Sequence, residues 1–373
     1  MTMIANSFII FLLLILVPDI YLWYRYLRKK DYWMQGLWFV VTIAFVVATV
    51  LFAQEEDFVP TDMTWLNVYL LLMGLVTAPK IVFSLCSLFG EKGRKTSLVL
   101  IPLLWLAVLY GSFIGNRCFE VKHVELAFSD LPEAFDGYRI VHFSDLHVGT
   151  TPESLIREVV DSINGQKADL IAFTGDLKNK LPDEVIPYKE LLATLKAKDG
   201  VYTVMGNHDY SMYFAGSGDE KYYQERRMRE QEYDMKWRML DNFHEAITRD
   251  SSFITISGME NDGEGRFPQK GDIAKTLDGV GRGAFVVMLE HDPTSWLRKI
   301  VPDGRAQLTL SGHTHGGQIA LFGWSPARLA YRQVNGIYQE GRQTLYVTKG
   351  AGGVIPFRLG APCEIVVMTL RTK

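Results

Sequence analysis

Cysteine is scarce. The 373-residue chain has three, Cys86, Cys118 and Cys363, and no two share the short spacing of a thiolate metal site. Neither a disulfide framework nor a zinc ribbon can organise it. A Cys118–Cys363 bridge stays open, because sequence alone does not place the two Cα atoms. Charge of one sign is also lacking: 39 Lys and Arg stand against 42 Asp and Glu, for a net −3. Such a chain has no global basic field to recruit nucleic acid, and none is expected as a partner. It has no internal repeat and no low-complexity linker. In its first third it lacks charge almost entirely over long runs, and that absence divides the chain.

Four apolar stretches, residues 8–24, 36–53, 65–89 and 97–115, approach the roughly 20 residues that cross a bilayer core. The second has no polar face, which a soluble helix requires. Pro18, Pro79 and Pro102 are compatible with spanning helices, since neighbours can satisfy the freed carbonyls. The first stretch lacks a basic leader and a small-residue cleavage site and reads as an uncleaved helix. The loops alternate in charge. Arg25, Arg28, Lys29 and Lys30 fill the first, Glu55, Glu56, Asp57 and Asp62 the second, and Lys92, Arg94 and Lys95 the third. Basic short loops stay in the cytoplasm, so the N-terminus and everything after the fourth helix are expected outside the cytoplasmic membrane. Asp19 and Lys80 lie inside apolar stretches, where an ionisable group either finds a partner or snorkels to the interface.

From residue 138 the pattern changes to short β-rich runs followed by helical spacing. Strands are expected at 138–143, 168–174 and 201–205, with helices at 152–163, capped by Thr151, and at 183–196. A charged stretch at 219–243 reads as an inserted amphipathic helix. Strands at 253–257, 284–289, 307–310, 344–348 and 364–370 then follow with little helix between them, suggesting a second sheet packed on the first. Residues 116–136 join the membrane part to this domain, with His123 in a short early strand. The expected layout is 1–117 as a four-helix transmembrane anchor and 118–373 as an α/β domain.

The polar residues that matter fall where strands end. Asp145 and His147 follow the first strand, Asp176 the second, and Asn207, His208 and Asp209 the third. His291 follows the strand at 284–289, and His313 and His315 the one at 307–310. Sites in α/β sheets form at the carboxyl ends of strands, so five separate ends can deliver side chains to one place. Asp, His and Asn donors suit borderline divalent metals rather than calcium. There are too many for one ion, whereas two ions about 3.5–4 Å apart with a shared carboxylate would use them all. His142, His123 and His244 fall elsewhere and read as structural.

The ordered blocks Asp145-Leu146-His147, Gly175-Asp176, Gly206-Asn207-His208-Asp209, His291 and Gly312-His313-Thr314-His315 resemble the calcineurin-like metallophosphoesterase superfamily. The tail from Val334-Asn335-Gly336 through Pro356-Phe357-Arg358-Leu359-Gly360 is similar to its membrane-anchored bacterial subgroup. The resemblance covers residues 120–373, and the four-helix anchor goes beyond the subgroup's usual single anchor. It implies an α/β/β/α sandwich with two divalent or trivalent ions, Mn, Fe or Zn. Asp145, His147, Asp176 and His315 would hold one ion, and Asp176, Asn207, His291 and His313 the other, with Asp176 bridging. His208 would protonate the leaving oxygen, with Asp209 orienting its imidazole. The implied activity is hydrolysis of a phosphate ester or diphosphate, with a lipid-linked substrate suggested by the anchor. A UDP-diacylglucosamine-type pyrophosphohydrolase and a non-catalytic membrane sensor or scaffold with a structural metal site are the alternatives. The expected outside location of the domain counts against the former, whose substrate is cytoplasmic.

Overall fold

The computed structural model describes residues 3–54 and 62–373. The chain divides into two compact units, Met1–Ile114 and Gly115–Lys373.

In the first unit, α1 (Met3–Leu22) runs on through a wider π turn at Trp23–Leu27 and is followed by α2 (Tyr32–Gln54). Then α3 (Thr64–Leu72) passes through a second π turn, Met73–Thr77, into α4 (Ala78–Ser87), and α5 (Gly90–Phe113) closes the unit. Four segments, Ile9–Leu27, Tyr32–Gln54, Thr64–Ser87 and Gly90–Arg117, are long and apolar enough to cross a membrane. The break at Pro79 has a visible repair. Proline cannot donate to the carbonyl four residues back, and that carbonyl, Leu75 O, instead accepts from Trp105 Nε1 at 2.8 Å. Asp19 and Lys80 do find each other: Lys80 Nζ lies 2.8 Å from Asp19 Oδ1. The Thr42 hydroxyl also donates to Asp19, and the ammonium sits 4.3 Å from the Trp38 ring centroid. Pairing offsets the cost of placing either charge in hydrocarbon.

One feature of this unit differs from expectation. Because α5 begins at Gly90, Lys92, Arg94 and Lys95 ride on its first turns rather than in a loop. Asp62 accepts from the Thr64 amide at the start of α3, while Glu55, Glu56 and Asp57 lie outside the described residues.

The second unit is a two-sheet sandwich. Its strands are β1 (Phe119–Phe128), β2 (Arg139–Phe143), β3 (Leu170–Phe173), β4 (Val201–Thr203), β5 (Arg238–Met239), β6 (Phe243–Arg249), β7 (Ser252–Gly258), β8 (Phe285–Leu289), β9 (Leu308–Ser311), β10 (Gly336–Glu340), β11 (Gln343–Val347) and β12 (Cys363–Thr372). One sheet has the order β1-β12-β2-β3-β4-β5 and the other β10-β11-β9-β8-β7-β6. The strands that end at the polar clusters, β2, β3 and β4 in one sheet and β8 and β9 in the other, are parallel to their sequence neighbours, so their carboxyl ends share one edge. They are buried on both faces and mainly apolar, as strands covered on both sides must be. Ile140, Leu170, Ala172 and Tyr202 point between the sheets against Ile254, Val287 and Leu308. Val141, Phe143, Ile171 and Phe173 point outward, onto α6 (Glu153–Gly165) through Ile156, Val159 and Val160. On the far face of the second sheet, Val286, Met288 and Val347 pack against Trp296 and Ile300. The result is the expected α/β/β/α layering.

Several elements depart from the sequence reading. The strand at 364–370 belongs to the first sheet, not the second: β12 inserts between β1 and β2, parallel to one and antiparallel to the other. Its partner β1 is ten residues long and occupies much of the expected linker. The region 183–196 is a 3₁₀ segment, Pro182–Tyr188, with one α turn, α7 (Lys189–Leu192), because Pro187 withholds an amide there. Thr151 does not cap α6; its hydroxyl donates to Leu146 O at 2.6 Å. The inserted helix, α8 (Gly218–Asp234), stops nine residues short of 243. Beyond it Lys236 takes a φ of 66°, and Met235 and Trp237 turn into the core beside Met228. His142 bonds Thr174, and His244, in β6, bonds the Thr276 carbonyl.

Candidate metal centre

Backbone bonds lace the strand-end loops together before any side chain is considered. The amide of Asp145 donates to Gly175 O, that of His147 to Asp176 O, and that of Ala351 to Ser144 O. The loops approach so closely that side chains are excluded at key points. A Cβ on Gly206 would fall 2.2 Å from Asp176 Oδ1, and one on Gly312 would fall 2.2 Å from Asp145 Oδ2. Asp145, His147, Asp176, His313 and His315 all adopt left-handed backbone, with φ of 54°, 46°, 60°, 70° and 52°. Such conformations cost about 1–3 kcal/mol each in non-glycine residues and persist where a site over-determines them.

The side chains converge as two groups of potential ligands with Asp176 between them. Asp145, His147 and His315 form one and Asp176, His291 and His313 the other, while His147, Asp176 and His208 overlap both; within each set the donor atoms lie within 4.8 Å of one another. Asp176 Oδ2 lies 3.7 Å from His147 Nε2 and 3.2 Å from His291 Nε2, so one oxygen faces both groups. Its Oδ1 accepts the His208 amide at 2.8 Å. Asp145 Oδ1 is 3.5 Å from His315 Nε2. Asn207 Oδ1 lies 2.7 Å from His313 Nδ1 and 3.2 Å from His291 Nε2, which adds the amide oxygen to the second group. All seven expected ligands are thus brought to one place.

The donor set fits cations. His147 is fully buried, yet its Nε2 has no hydrogen-bond partner, an expensive arrangement for a polar atom unless an ion takes it up. Burial, aided by the neighbouring His208, pushes the His147 imidazole down to about 3, so it is neutral, as a ligand must be. Burial likewise drives His315 far down. Burial raises Asp145 to about 7, with the Asp176 charge adding to it. For Asp176 burial opposes ionisation, but the cationic imidazole of His291 and its neighbours outweigh it and hold the carboxyl low. His291 reciprocates: burial disfavours its charge, and the Asp176 carboxylate overrides that and raises it. Bound cations would take over the compensation that the His291 charge gives these carboxylates, and the chemistry they would supply is polarisation of phosphoryl oxygens and activation of water.

Around the ligands, His208 and Asp209 part company. His208 Nδ1 lies 2.6 Å from Asn179 O. A carbonyl only accepts, so Nδ1 carries the hydrogen and Nε2 is the atom left for chemistry. Asp209 does not orient this imidazole, contrary to expectation. Its Oδ2 accepts the amides of Asp176 at 2.6 Å and Gly206 at 2.9 Å, and its Oδ1 accepts those of Leu177 and Lys178. It is a positioning residue that clamps the two loops carrying the candidate ligands Asp176 and Asn207. Asp209→Ala is therefore expected to leave buried amides unpaired, at about 1–3 kcal/mol for each that finds no substitute. It should lower the unfolding temperature in detergent far more than His208→Ala does; similar small shifts would remove the clamp role.

The structure adds four neighbours of the candidate ligands, of which sequence reasoning missed Asp292, Tyr213 and Lys178. Asp292 Oδ2 lies 3.4 Å from His313 Nε2, and the Tyr331 hydroxyl 3.1 Å from the same nitrogen. The Tyr213 hydroxyl accepts from Asn207 Nδ2 at 3.3 Å. Lys178 is fully buried and donates to the Lys180 and His208 carbonyls. Asp292 directly follows a ligand, and that adjacency was the one signal available. The others depend on how the loops fold back.

Comparison with known proteins agrees with the geometry. Residues 138–317 match the family model described as calcineurin-like phosphoesterase. An uncharacterized metallophosphoesterase of Bacillus subtilis is 32% identical over 276 residues, covering 70% of this chain and 89% of its own. Another, from Campylobacter jejuni, is 26% identical over 388 residues and covers 98% of both chains. A Danio rerio transmembrane protein with a metallophosphoesterase domain is 31% identical over 292 residues, 74% of this chain and 63% of its own. The chain belongs to the calcineurin-like phosphoesterase family: it is a membrane-associated metallophosphoesterase, a hydrolase of phosphorylated substrates.

Proposed function

We propose that the protein uses two metal ions to hydrolyse a lipid-linked phosphate ester or diphosphate at the outer face of the cytoplasmic membrane. Asp145, His147, Asp176 and His315 hold one ion, and Asp176, Asn207, His291 and His313 the other. His208 Nε2 faces the leaving oxygen. Burial pushes that imidazole down to about 4, so it takes its second proton only beside a charged phosphoryl group, which favours the cation.

The observation that carries the lipid reading is the loop after His315. Phe322, Trp324 and Leu329 on it are exposed, an unusual concentration for a soluble surface. The loop leaves from one expected ligand and returns with Tyr331 against another, His313, so its apolar tip is tethered to the metal centre. The inserted helix contributes little to this apolar surface. Met228, Met235 and Trp237 fill the core, and the exposed aromatics left on the helix are Tyr222, Tyr223 and Tyr233. Replacing Phe322 and Trp324 by Ser should reduce turnover of a lipid phosphate at least ~10-fold, since two large apolar contacts are worth a few kcal/mol. Turnover of a small soluble phosphodiester should be spared. Equal loss on both, or on neither, refutes the lipid reading.

The outer-face assignment rests on the basic residues at 25–30 and 92–95. A reporter that works only after translocation, fused behind Lys373, is expected to be active. Activity of a cytoplasm-only reporter there would reverse the topology and restore a cytoplasmic nucleotide-lipid substrate.

A further inference from the structure

We propose that the helical unit carries a site for one anionic phospholipid, separate from the metal centre. Between α1 and α4 runs a groove of about 520 Å³, lined among others by Leu14, Pro18, Tyr21, Ile81, Ser84 and Leu85. That volume lies within the ~300–1,000 Å³ usual for small-molecule sites. In hydrocarbon a groove with such walls is filled by an acyl chain.

Two observations say which lipid. The first is a set of hydroxyls just behind the groove wall. Tyr21 and Ser87 share a hydrogen bond at 2.7 Å, and the Ser87 hydroxyl also reaches the Ser84 carbonyl. The hydroxyl of Ser84 itself, buried in the groove wall, has no partner and suits an ester carbonyl. The second is charge. Tyr21 and Leu88 mark the ends of the groove-lining stretches. Immediately beyond them come exposed Arg25, Arg28, Lys29 and Lys30 on one side and, on the other, exposed Lys92 and Lys95 with half-buried Arg94 between them. Asp31 and Glu91 are the acids among them, and Glu91 is paired with Lys95 at 2.8 Å. The Arg28 guanidinium is held 4.1 Å from the Tyr24 ring centroid, which fixes a cation at interface depth. A chain in the groove places its headgroup phosphate among these cations.

Native mass spectrometry of the full-length protein in mild detergent tests this, with equal amounts of phosphatidylglycerol and phosphatidylcholine of one chain length. The anionic lipid should be retained in preference by on the order of tenfold or more, given the attraction of each basic residue for an anionic headgroup. Leu14→Trp with Leu85→Trp fills the groove and should lower retention of both lipids. Leu103→Trp, exposed on α5 and outside the groove, should retain them as the parent does. Arg25→Gln, Arg28→Gln, Lys92→Gln and Arg94→Gln together should abolish the preference while leaving chain binding. Equal retention of the two lipids by the parent, or undiminished retention by the filled groove, overturns the proposal. If the Trp pair fails to fold by circular dichroism, the charge variant decides alone: a preserved preference overturns it.

Discussion

Asp176→Asn is expected to abolish turnover and to release bound metal. Asp176 Oδ2 faces both ligand groups, 3.7 Å from His147 and 3.2 Å from His291, and Oδ1 anchors the His208 amide at 2.8 Å. Asparagine keeps the shape and one acceptor, but it removes the charge, and its amide nitrogen must replace either the oxygen that faces both groups or the one that accepts the His208 amide. Changes to residues that merely support ligands cost about 10–100-fold in affinity or activity, so loss of a shared ligand should exceed ~100-fold. Metal analysis of the purified protein gives an independent readout, and bound metal should fall from two equivalents to one or fewer. The structure also separates this effect from unfolding. Asp209, not Asp176, holds the amides at 176, 177, 178 and 206, so the loops should stay in place in Asp176→Asn. A variant with full metal and full rate would show that the seven side chains are not a metal centre.

The convergence of the candidate ligands was legible in the sequence because each sits where a strand stops, and a parallel strand's end is fixed by local pattern alone. Asp145, Asp176, Asn207, His291 and His313 needed only the apolar run before them. What failed was whatever depended on distant partners. β12 reads as one more late strand, and nothing in its composition says that it pairs with β1 and β2 across the chain. Met235 and Trp237 continue the spacing of α8, yet the helix ends because these side chains are worth more in the core than one further helical turn. Asp209 misled for the same reason. Its place beside His208 suggested a local pair, whereas its carboxylate reaches amides some 30 residues away. Asp19 and Lys80 show the converse: two costly charges in apolar runs left pairing as one of two readings, and the fold chose it.

His208 gives the second large effect, and it distinguishes two roles the geometry permits. The residue lies within ligand distance of His147 and Asp176, so it could be an eighth ligand rather than an acid. Its Nδ1 is committed to the Asn179 carbonyl at 2.6 Å, and its ring meets His147 edge-on at a centroid distance of 4.8 Å, so Nε2 alone decides. As an acid, it matters in proportion to the basicity of the leaving oxygen. His208→Ala should then lose ~10²–10⁴-fold on an alkyl or lipid phosphate. On a nitrophenyl diester, whose leaving group departs without a proton, the loss should be far smaller, and bound metal should be unchanged. As a ligand, it matters to every substrate alike, and metal falls with activity. Rates on the two leaving groups and metal content from one purified variant therefore suffice. Uniform loss with metal release would move His208 into the ligand set and leave the leaving group to be protonated by water.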